Sequence, residues 1–427
     1  MISNWLSATL ARRNIHYGWA MVGVTFLTTL ISAGTVGAPG VFIVPLQNEF
    51  GWSTAEISSA LSIRLLLFGL MAPFAAALLN RYGLRNVTLS ALALIVTALV
   101  VSLFMNSVWQ LILLWGFVVG FATGMTALVL GATVAARWFS ARRGLVVGIL
   151  TASTATGQLI FLPILANVTE RYGWRFALAL MCVMLAVAAI AVLLVMRDRP
   201  SDLGLRAFGE DPSAPPAPLP PPAPVMAAAL GALRDASKHR VFWVLFATFF
   251  ICGASTNGLI QTHFIPLCAD YGLPAVGAAS VLAAMGVFDF VGTVLSGWLS
   301  DRYDNRWLLF WYYGLRGLSL LYLPFTDFTV AGLSLFAMFY GLDWIATVPP
   351  TVRLTAQRFG PERANLVFGW IFAGHQLGAG VAAFGAGLSR TLLATYLPAF
   401  FVAGALCVVA ALIVLVISRP KPVVAAA

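Results

Sequence analysis

Long apolar runs, separated by short polar segments, recur along the whole chain. About 20 apolar residues are needed for a helix to cross the hydrocarbon core of a bilayer. On that scale the pattern predicts twelve membrane helices, at roughly 17–46, 55–79, 86–106, 108–136, 144–167, 174–196, 241–267, 275–299, 307–325, 329–352, 364–388 and 394–418. We expect an all-α membrane protein without a cleaved signal peptide, because the first apolar run is too long for one and continues into the body of the chain.

The chain repeats part of its own sequence. Residues 42–85 align with residues 263–306 at a constant offset of 221, and nine of the 44 positions are identical. A second stretch, which begins at Leu145 and Leu366, has the same offset. Two similar halves suit alternating access, in which one half rocks against the other around a shared site. We therefore predict two six-helix bundles, 1–196 and 241–427, joined by a linker at 197–240.

Composition and charge fit this picture. Hydrophobic residues make up 60% of the chain and charged residues 9%, and the mean hydropathy is +0.92. This composition excludes a soluble protein with a surface of ordinary composition. Of the 25 Lys and Arg residues, 20 fall in alternate loops and at the two termini. This distribution follows the positive-inside rule. It predicts a cytoplasmic (inner) membrane protein with both termini and the linker in the cytoplasm, and it explains the net charge of +10 without a nucleic-acid partner.

The linker between the halves is rich in proline, with eight prolines in residues 211–224. Such a composition favours an extended, solvated tether, although a loop without mechanical function fits equally well. Glycine and proline also interrupt the first and seventh predicted helices at corresponding places. These interruptions indicate either helices that line a substrate route or close helix packing through small residues.

Two loops contain a charged motif, one copy in each half. The second copy contains Gly297, Asp301, Arg302 and Arg306, and the first contains Ala76, Asn80, Arg81 and Arg85. The motif resembles the G-x-x-x-D-R-x-G-x-[RK] marker of the major facilitator superfamily. That resemblance implies the major facilitator fold, and it implies that the polar residues of both copies (Asn80, Arg81, Arg85, Asp301, Arg302 and Arg306) act in gating. The alternative is that the arginines only enforce topology and bind lipid phosphate.

Other stretches resemble a narrower branch of that superfamily. Residues 42–53 match the pattern F-x-x-P-L-x-x-E-F-G-W-S of oxalate/formate antiporter-like and monocarboxylate-transporter-like members. The segments 137–145 and 199–205 are similar to the same branch. Asp289 resembles the helix-eight aspartate of monocarboxylate transporters by its setting, but Thr293 stands where that family has an arginine.

Four charged residues lie inside predicted membrane helices: Arg64, Asp289, Arg316 and Asp343. Each costs at least about 2.5–3.5 kcal/mol at a helix centre unless it is paired or hydrated. Arg316 is expected to form a structural ion pair with Asp289 or Asp343, and the two aspartates are candidates for carrying a coupling proton. Arg64 can anchor an anionic substrate through its planar guanidinium, or it can extend to the outer surface.

Polar groups of the seventh and eleventh helices complete the candidate site. Asn257, His375 and Gln376 are expected to contact substrate, although a lone histidine such as His375 or His263 is often only a packing residue. The four cysteines and four histidines show no metal-ligand spacing, and no phosphate-binding glycine loop is present. We therefore expect no metal, no cofactor and no enzymatic activity.

The sequence favours a secondary active transporter of a small organic anion, most simply a monocarboxylate, coupled to protons. Proton symport and anion exchange both fit, and so do a hydrophobic-compound exporter and a transporter-like sensor.

Overall fold

A computed structural model describes residues 2–210 and 225–417 of the chain. Within these residues it is helical, with no β-strand beyond an isolated bridge between Phe139 and Phe208. The proline-rich part of the predicted linker, 211–224, lies outside the described residues.

Twelve long helices, α1 to α12, follow one another in the described chain. Their bounds are α1, Gly18–Gly37 and Pro39–Phe50; α2, Thr54–Tyr82; α3, Leu84–Ser102; α4, Val108–Leu111, Ile112–Val119 and Gly120–Trp138; α5, Arg143–Tyr172; α6, Trp174–Val195; α7, Arg240–Gly253, Ala254–Ile260 and Gln261–Asp270; α8, Ala275–Ser300; α9, Asn305–Tyr322; α10, Ser334–Asp343 and Val348–Phe359; α11, Pro361–Leu393; and α12, Leu397–Val414. Shorter helices cover Ile2–Arg12, Pro200–Leu203, Val225–Ala236 and Leu323–Phe325.

Nine helices of the described chain are long and apolar enough to cross a membrane, and α5, α9 and the divided α10 complete the twelve. Helices α1 to α6 form one bundle and α7 to α12 the other. Within the bundles α2 packs on α4, and α9 packs on α12; the extended contacts between the bundles join α2 to α11 and α5 to α8. This is the architecture predicted for a multi-pass membrane protein.

Positions that are identical in the two halves adopt the same conformation at helix ends. Gly51 and Gly272 follow α1 and α7, and both have positive φ, 70° and 81°. Glycine adopts this left-handed conformation without the steric cost that a Cβ atom imposes, so it ends a helix sharply. Ser53 then begins α2 with a capping box, in which its side chain accepts from the Glu56 N–H.

The interruptions of α1 and α7 also correspond. Helix α1 divides at Ala38, and α7 passes through a π-helical stretch at Ala254–Ile260. At this level Gly40 of α1 touches α7, since a Cβ atom at Gly40 would lie 2.9 Å from the carbonyl oxygen of Thr262. The two interrupted helices therefore meet across the boundary between the bundles. Irregular backbone at membrane depth is tolerated where it is buried in protein or lines a cavity.

We call the end of the molecule with the basic loops and the linker the linker end, and the opposite end the far end. At the linker end of each bundle, an arginine at the start of one helix donates a hydrogen bond to a backbone carbonyl at the end of another helix. Arg85 at the start of α3 donates to the Leu193 carbonyl of α6, at 2.9 Å. Its repeat mate Arg306, at the start of α9, donates to the Ile417 carbonyl beyond α12, at 2.7 Å. Both arginines thus hold together helices of one bundle.

The helix Val225–Ala236 lies against both halves at the linker end. It contacts α2 of the first bundle and α11 of the second. The indole of Trp370 in α11 donates to the Ala229 carbonyl at 2.8 Å, and Asp235 lies 3.7 Å from the Arg363 guanidinium. The described part of the linker is therefore docked on the bundles.

Candidate functional site

The second bundle contains a buried polar cluster where α10 is divided. Residues 344–347 separate its two helical pieces, and we call them the α10 break. A helix that ends inside a membrane leaves carbonyl and N–H groups without partners, which is costly in a medium without water. Side chains from α8 and α9 supply partners for several of them.

Arg316 of α9 donates to the carbonyl groups at the end of the first helical piece of α10. Its Nε donates to Oδ2 of Asp343 at 2.9 Å, and its Nη2 donates to the carbonyls of Asp343 and Trp344 at 2.5 and 3.0 Å. Arg316 is fully buried, and Asp343 is almost so. The guanidinium therefore neutralises a carboxylate and caps a helix end at once, for which its planar array of donors is suited.

Asp289 of α8 accepts a hydrogen bond from a backbone N–H group of the same break. Its Oδ1 accepts from the Ile345 N–H at 2.8 Å and from the Thr293 hydroxyl at 3.1 Å. Both donors are neutral, and the ion pairs of the described chain do not include Asp289. Thr293, four residues after Asp289, thus provides a hydrogen bond to the carboxylate and no charge.

The cluster extends from the α10 break to the irregular part of α7. Cys252 accepts from Nη1 of Arg316 at 2.9 Å, and its sulfur lies 3.3 Å from the Thr347 hydroxyl. Tyr340 in the first piece of α10 donates to the Ser255 carbonyl within the π-helical stretch, at 2.8 Å. These contacts join α10 to α7 at the α10 break and in the helical piece before it.

Helix α11 brings two predicted site residues to the same region. The ring of His375 stacks on Phe372, with centroids 5.6 Å apart, and its Nε2 lies 3.5 Å from the Thr256 hydroxyl of α7. Gln376 is buried and lies at the boundary between the bundles, because a Cβ atom at Gly69 of α2 would meet its side chain. His375 Nδ1 and Gln376 Oε1 are buried without a hydrogen-bond partner in the described chain.

Asn257 lies within the π-helical stretch of α7 and is half-buried. Its neighbour Gly258 faces α11, since a Cβ atom there would lie 2.4 Å from the Ala379 carbonyl. Asn257, His375 and Gln376 therefore belong to one region where α7 and α11 pack. His263 lies farther along α7, where its Nε2 bonds to the Ala383 carbonyl at 2.8 Å, as expected for a packing residue.

Arg64 lies in the other bundle and faces its interior. Its Nη1 donates to the Thr35 carbonyl of α1 at 3.4 Å, and a Cβ atom at Gly120 of α4 would meet its backbone. It borders a cavity of about 10 Å³, room for roughly one water, lined also by Thr35, Ala38, Pro39, Phe42, Leu99, Trp115, Val119 and Met181. With 5% exposure, Arg64 does not extend to the surface.

The aromatic rings of Phe68 in α2 and Phe290 in α8 do not line the Arg64 cavity. Phe68 packs edge-to-face on Phe372 of α11, with centroids 6.1 Å apart. Phe290 is 60% exposed on α8, as a lipid-facing side chain would be. A common pocket for Arg64 and these rings is therefore absent from this conformation of the described chain.

The charged residues of the loop motif form contacts within their own halves. Asp301 pairs with Arg353 of α10, and Arg306 pairs with Asp304 at 2.6 Å. Arg302 lies over the Trp298 ring, and Arg81 lies over that of Tyr82. The side chain of Asn80 lies outside the described residues. In this conformation the contacts fasten each bundle, and gating by these residues remains a prediction.

Several residues of the buried cluster escaped the sequence analysis. Cys252, Ser296, Tyr340 and Thr347 are uncharged and lie in apolar runs, so nothing in their spacing distinguishes them. Ser296, for example, donates to the Ala346 carbonyl of the α10 break at 2.5 Å. Pro349 and Pro350, which follow the break, were the available signal that α10 is divided.

Comparison with known proteins identifies the family. A family model described as the Major Facilitator Superfamily matches residues 25–383, which is most of the chain. The chain belongs to the Major Facilitator Superfamily. Superfamily members of known structure share its fold: the nucleoside transporter NupG has a TM-score of 0.75 at 10% identity and covers 94% of this chain and 99% of that one. A D-xylose-proton symporter has a TM-score of 0.70 at 15% identity, with 95% and 98% covered.

Superfamily relatives in sequence are transporters too. Monocarboxylate transporter 13 of Bos taurus is 26% identical, covering 91% of this chain and 86% of the relative. Monocarboxylate transporter 11 of Mus musculus is 30% identical, with 67% and 60% covered. The uncharacterized MFS-type transporter YcxA of Bacillus subtilis is 22% identical, with 83% and 84% covered. The chain is accordingly a membrane transporter of this superfamily and not an enzyme.

Proposed function

We propose that this transporter moves a small monocarboxylate together with a proton, by alternating access between its two bundles. The observation that carries the proposal is Asp289, a carboxylate buried at the α10 break whose described hydrogen-bond donors are both neutral. Relatives named monocarboxylate transporters support the class of substrate. Proton coupling requires a group that can exist in both charge states inside the membrane, and a carboxylate meets that requirement.

Asp289 is a better candidate for the proton site than Asp343. The carboxylate of Asp343 is balanced by the guanidinium of Arg316 at 2.9 Å, so protonation would leave that buried cation without its counter-charge. Protonation of Asp289 breaks no described ion pair. In this proposal Asp289 takes up and releases the proton, while Arg316 and Asp343 keep the α10 break in shape.

The proposed orientation follows the basic loops. With the linker end in the cytoplasm, 20 of the 25 Lys and Arg residues lie on the cytoplasmic side of an inner membrane, as the positive-inside rule requires. Both termini are then cytoplasmic, and the far end faces outwards. The moving units are 1–196 and 241–427, with 197–240 as the linker between them.

The proposed substrate region lies at the face of the second bundle where α7 and α11 pack against α1 and α2 of the first. Asn257, His375 and Gln376 supply polar groups there, and His375 and Gln376 retain buried atoms without partners in the described chain. Arg64 supplies the permanent cation that attracts an anion. Since its cavity holds about one water in this conformation, α1 and α4 must separate before a carboxylate reaches it.

Purified protein in liposomes tests the proposed function. An imposed pH gradient, acidic outside, should drive accumulation of a labelled monocarboxylate, and a protonophore should abolish it. Uptake that depends on internal anion and ignores the pH gradient would instead establish exchange. Binding without uptake under either condition would contradict transport and favour a sensor, and export of hydrophobic dyes alone would contradict the anion substrate.

Replacing Arg64 tests its part in anion binding. Arg64→Ala should remove the preference for a monocarboxylate over its uncharged amide, and Arg64→Lys should weaken acid binding by about tenfold, because an ammonium lacks the planar fork of donors. Equilibrium binding of the acid and the amide to each variant measures this preference. If the alanine variant retains the preference of the parent protein, Arg64 is a structural residue of the first bundle.

A further inference from the structure

Two hydrogen bonds join the bundles at the far end, and they are related by the repeat. The backbone N–H of Ala55, the second residue of α2, donates to the hydroxyl of Thr391 in α11 at 3.0 Å. The backbone N–H of Val276, the second residue of α8, donates to Oε1 of Glu170 in α5 at 3.1 Å. In each bond the donor belongs to one half and the acceptor to the other.

The correspondence between these bonds holds at every position. Val276 follows Ala55 by 221 residues, and Thr391 follows Glu170 by the same number. The two bonds are therefore one contact made twice, although neither the donors nor the acceptors are conserved in type between the halves. The two contacts correspond even though Ala55 differs from Val276 and Glu170 differs from Thr391. This indicates that the backbone geometry of the closed far end is itself repeated.

Both donors are groups that need an external partner. The first N–H groups of a helix have no acceptor within the helix, and they form its positive end. The residue before α8 is Pro274, which provides no side-chain cap, so Glu170 of the other half supplies a carboxylate at that end. The hydroxyl of Thr391 donates to the Gly387 carbonyl at 3.0 Å, which leaves its oxygen oriented to accept from Ala55.

Close packing surrounds the two bonds. A Cβ atom at Gly387 of α11 would lie 2.3 Å from the Ser58 hydroxyl of α2, so the helices touch there without an intervening side chain. The repeat mates of these two residues, Ala166 and Ala279, are both fully buried. In contrast, the strong ion pairs at the far end, Glu49 with Arg175 and Asp270 with Arg390, each stay within one half.

We propose that Glu170 and Thr391 are a matched pair of latches that hold the far-end gate closed, each by capping the start of a helix of the opposite half. The proposal rests on the alternating access proposed above, but not on the substrate. Opening of the far end must break both bonds, while the two ion pairs move with their own bundles and are unaffected. The two weak bonds thus add to the packing that stabilises the closed state, and they can be broken in each cycle.

Reaction of a cysteine buried in the gate measures its opening. Ser58→Cys places a thiol against Gly387, and an impermeant thiol reagent added to intact cells reaches it only when the far end opens. The parent protein sets the baseline, since Cys182, Cys252, Cys268 and Cys407 are all buried. An added Ser201→Cys, exposed at the linker end, should react only after the membrane is permeabilised, which verifies sidedness.

In the Ser58→Cys background, Thr391→Val and Glu170→Ala should each raise the labelling rate about two- to tenfold, the effect of losing one hydrogen bond. Thr391→Ser and Glu170→Gln keep an acceptor oxygen and should label at nearly the parental rate. Arg390→Gln is the matched control, because it breaks the bidentate pair with Asp270 inside one half and should not change labelling.

Equal labelling in all variants would overturn the latch proposal, and so would an increase in Arg390→Gln as large as in Thr391→Val. Yield and monodispersity of each purified variant show whether it folds, and the serine and glutamine variants provide the comparison if an alanine variant does not. All rates are measured without substrate. A failure of the monocarboxylate assay therefore leaves this result intact, and a failure here leaves the substrate proposal intact.

Discussion

Asp289→Asn is expected to abolish accumulation of substrate driven by a pH gradient. The amide still accepts from the Ile345 N–H and the Thr293 hydroxyl, so the α10 break keeps its hydrogen bonds, but it cannot take up a proton. Exchange of internal for external substrate should survive, because exchange does not require the unloaded carrier to release a proton. Uptake with and without the gradient, and exchange at equal pH, are measured in the same liposomes.

Thr293→Val is the control for Asp289→Asn. It removes one donor to the carboxylate and leaves the carboxylate itself in place, so gradient-driven uptake should fall without disappearing. If Asp289→Asn accumulates substrate at the parental rate, Asp289 is only a cap for the α10 break. The coupling group would then have to be sought at Asp343 or His375.

The largest loss of stability is expected from Arg316→Met. This change leaves the buried Asp343 carboxylate without a counter-charge, and it removes the donor to the carbonyls of Asp343 and Trp344. Breaking a buried ion pair by removing one partner costs about 3–5 kcal/mol. The thermal unfolding midpoint of the detergent-solubilised protein, followed by intrinsic fluorescence, should fall clearly in this variant.

Two further variants separate the ion pair from the helix cap. Asp343→Asn keeps an acceptor for Arg316 and should destabilise less than Arg316→Met. The double variant Arg316→Met with Asp343→Leu removes both charges, yet it still leaves the carbonyls of Asp343 and Trp344 uncapped, so it should recover only part of the loss. Full recovery would show that the cap contributes nothing, and an unchanged midpoint in Arg316→Met would contradict the structural role of the residue.

The sequence was sufficient to predict the architecture because membrane helices are long and uniformly apolar. The twelve helices, the two bundles and the family were all predicted, since each depends on a pattern that extends over many residues. The interruption of α7 was also indicated, because Gly258 follows Gly37 of α1 by the repeat offset of 221 and Gly253 lies nearby. Helix α10 was harder to predict, because its break depends on a partner, Arg316, that comes from another helix.

The site was only partly predictable, for a reason that Arg64 illustrates. The sequence shows that this residue is a cation inside the membrane, but the direction of its side chain depends on the rotation of α2 about its axis. In the structure one face of α2 meets α11 through Gly69, while Arg64 faces α4 and the Thr35 carbonyl. Such a rotation is decided by packing between helices, which periodicity within an almost uniformly apolar helix does not report.

The two far-end latches have a consequence for how such a protein changes during evolution. Each latch uses a backbone N–H as donor, and its acceptor is a carboxylate in one half and a hydroxyl in the other. The closed state therefore requires only an oxygen at the right place and tolerates different residue types there. A gate with so few demands on side-chain identity leaves the residues between the bundles free to diversify, so new specificities can arise without a new closing mechanism.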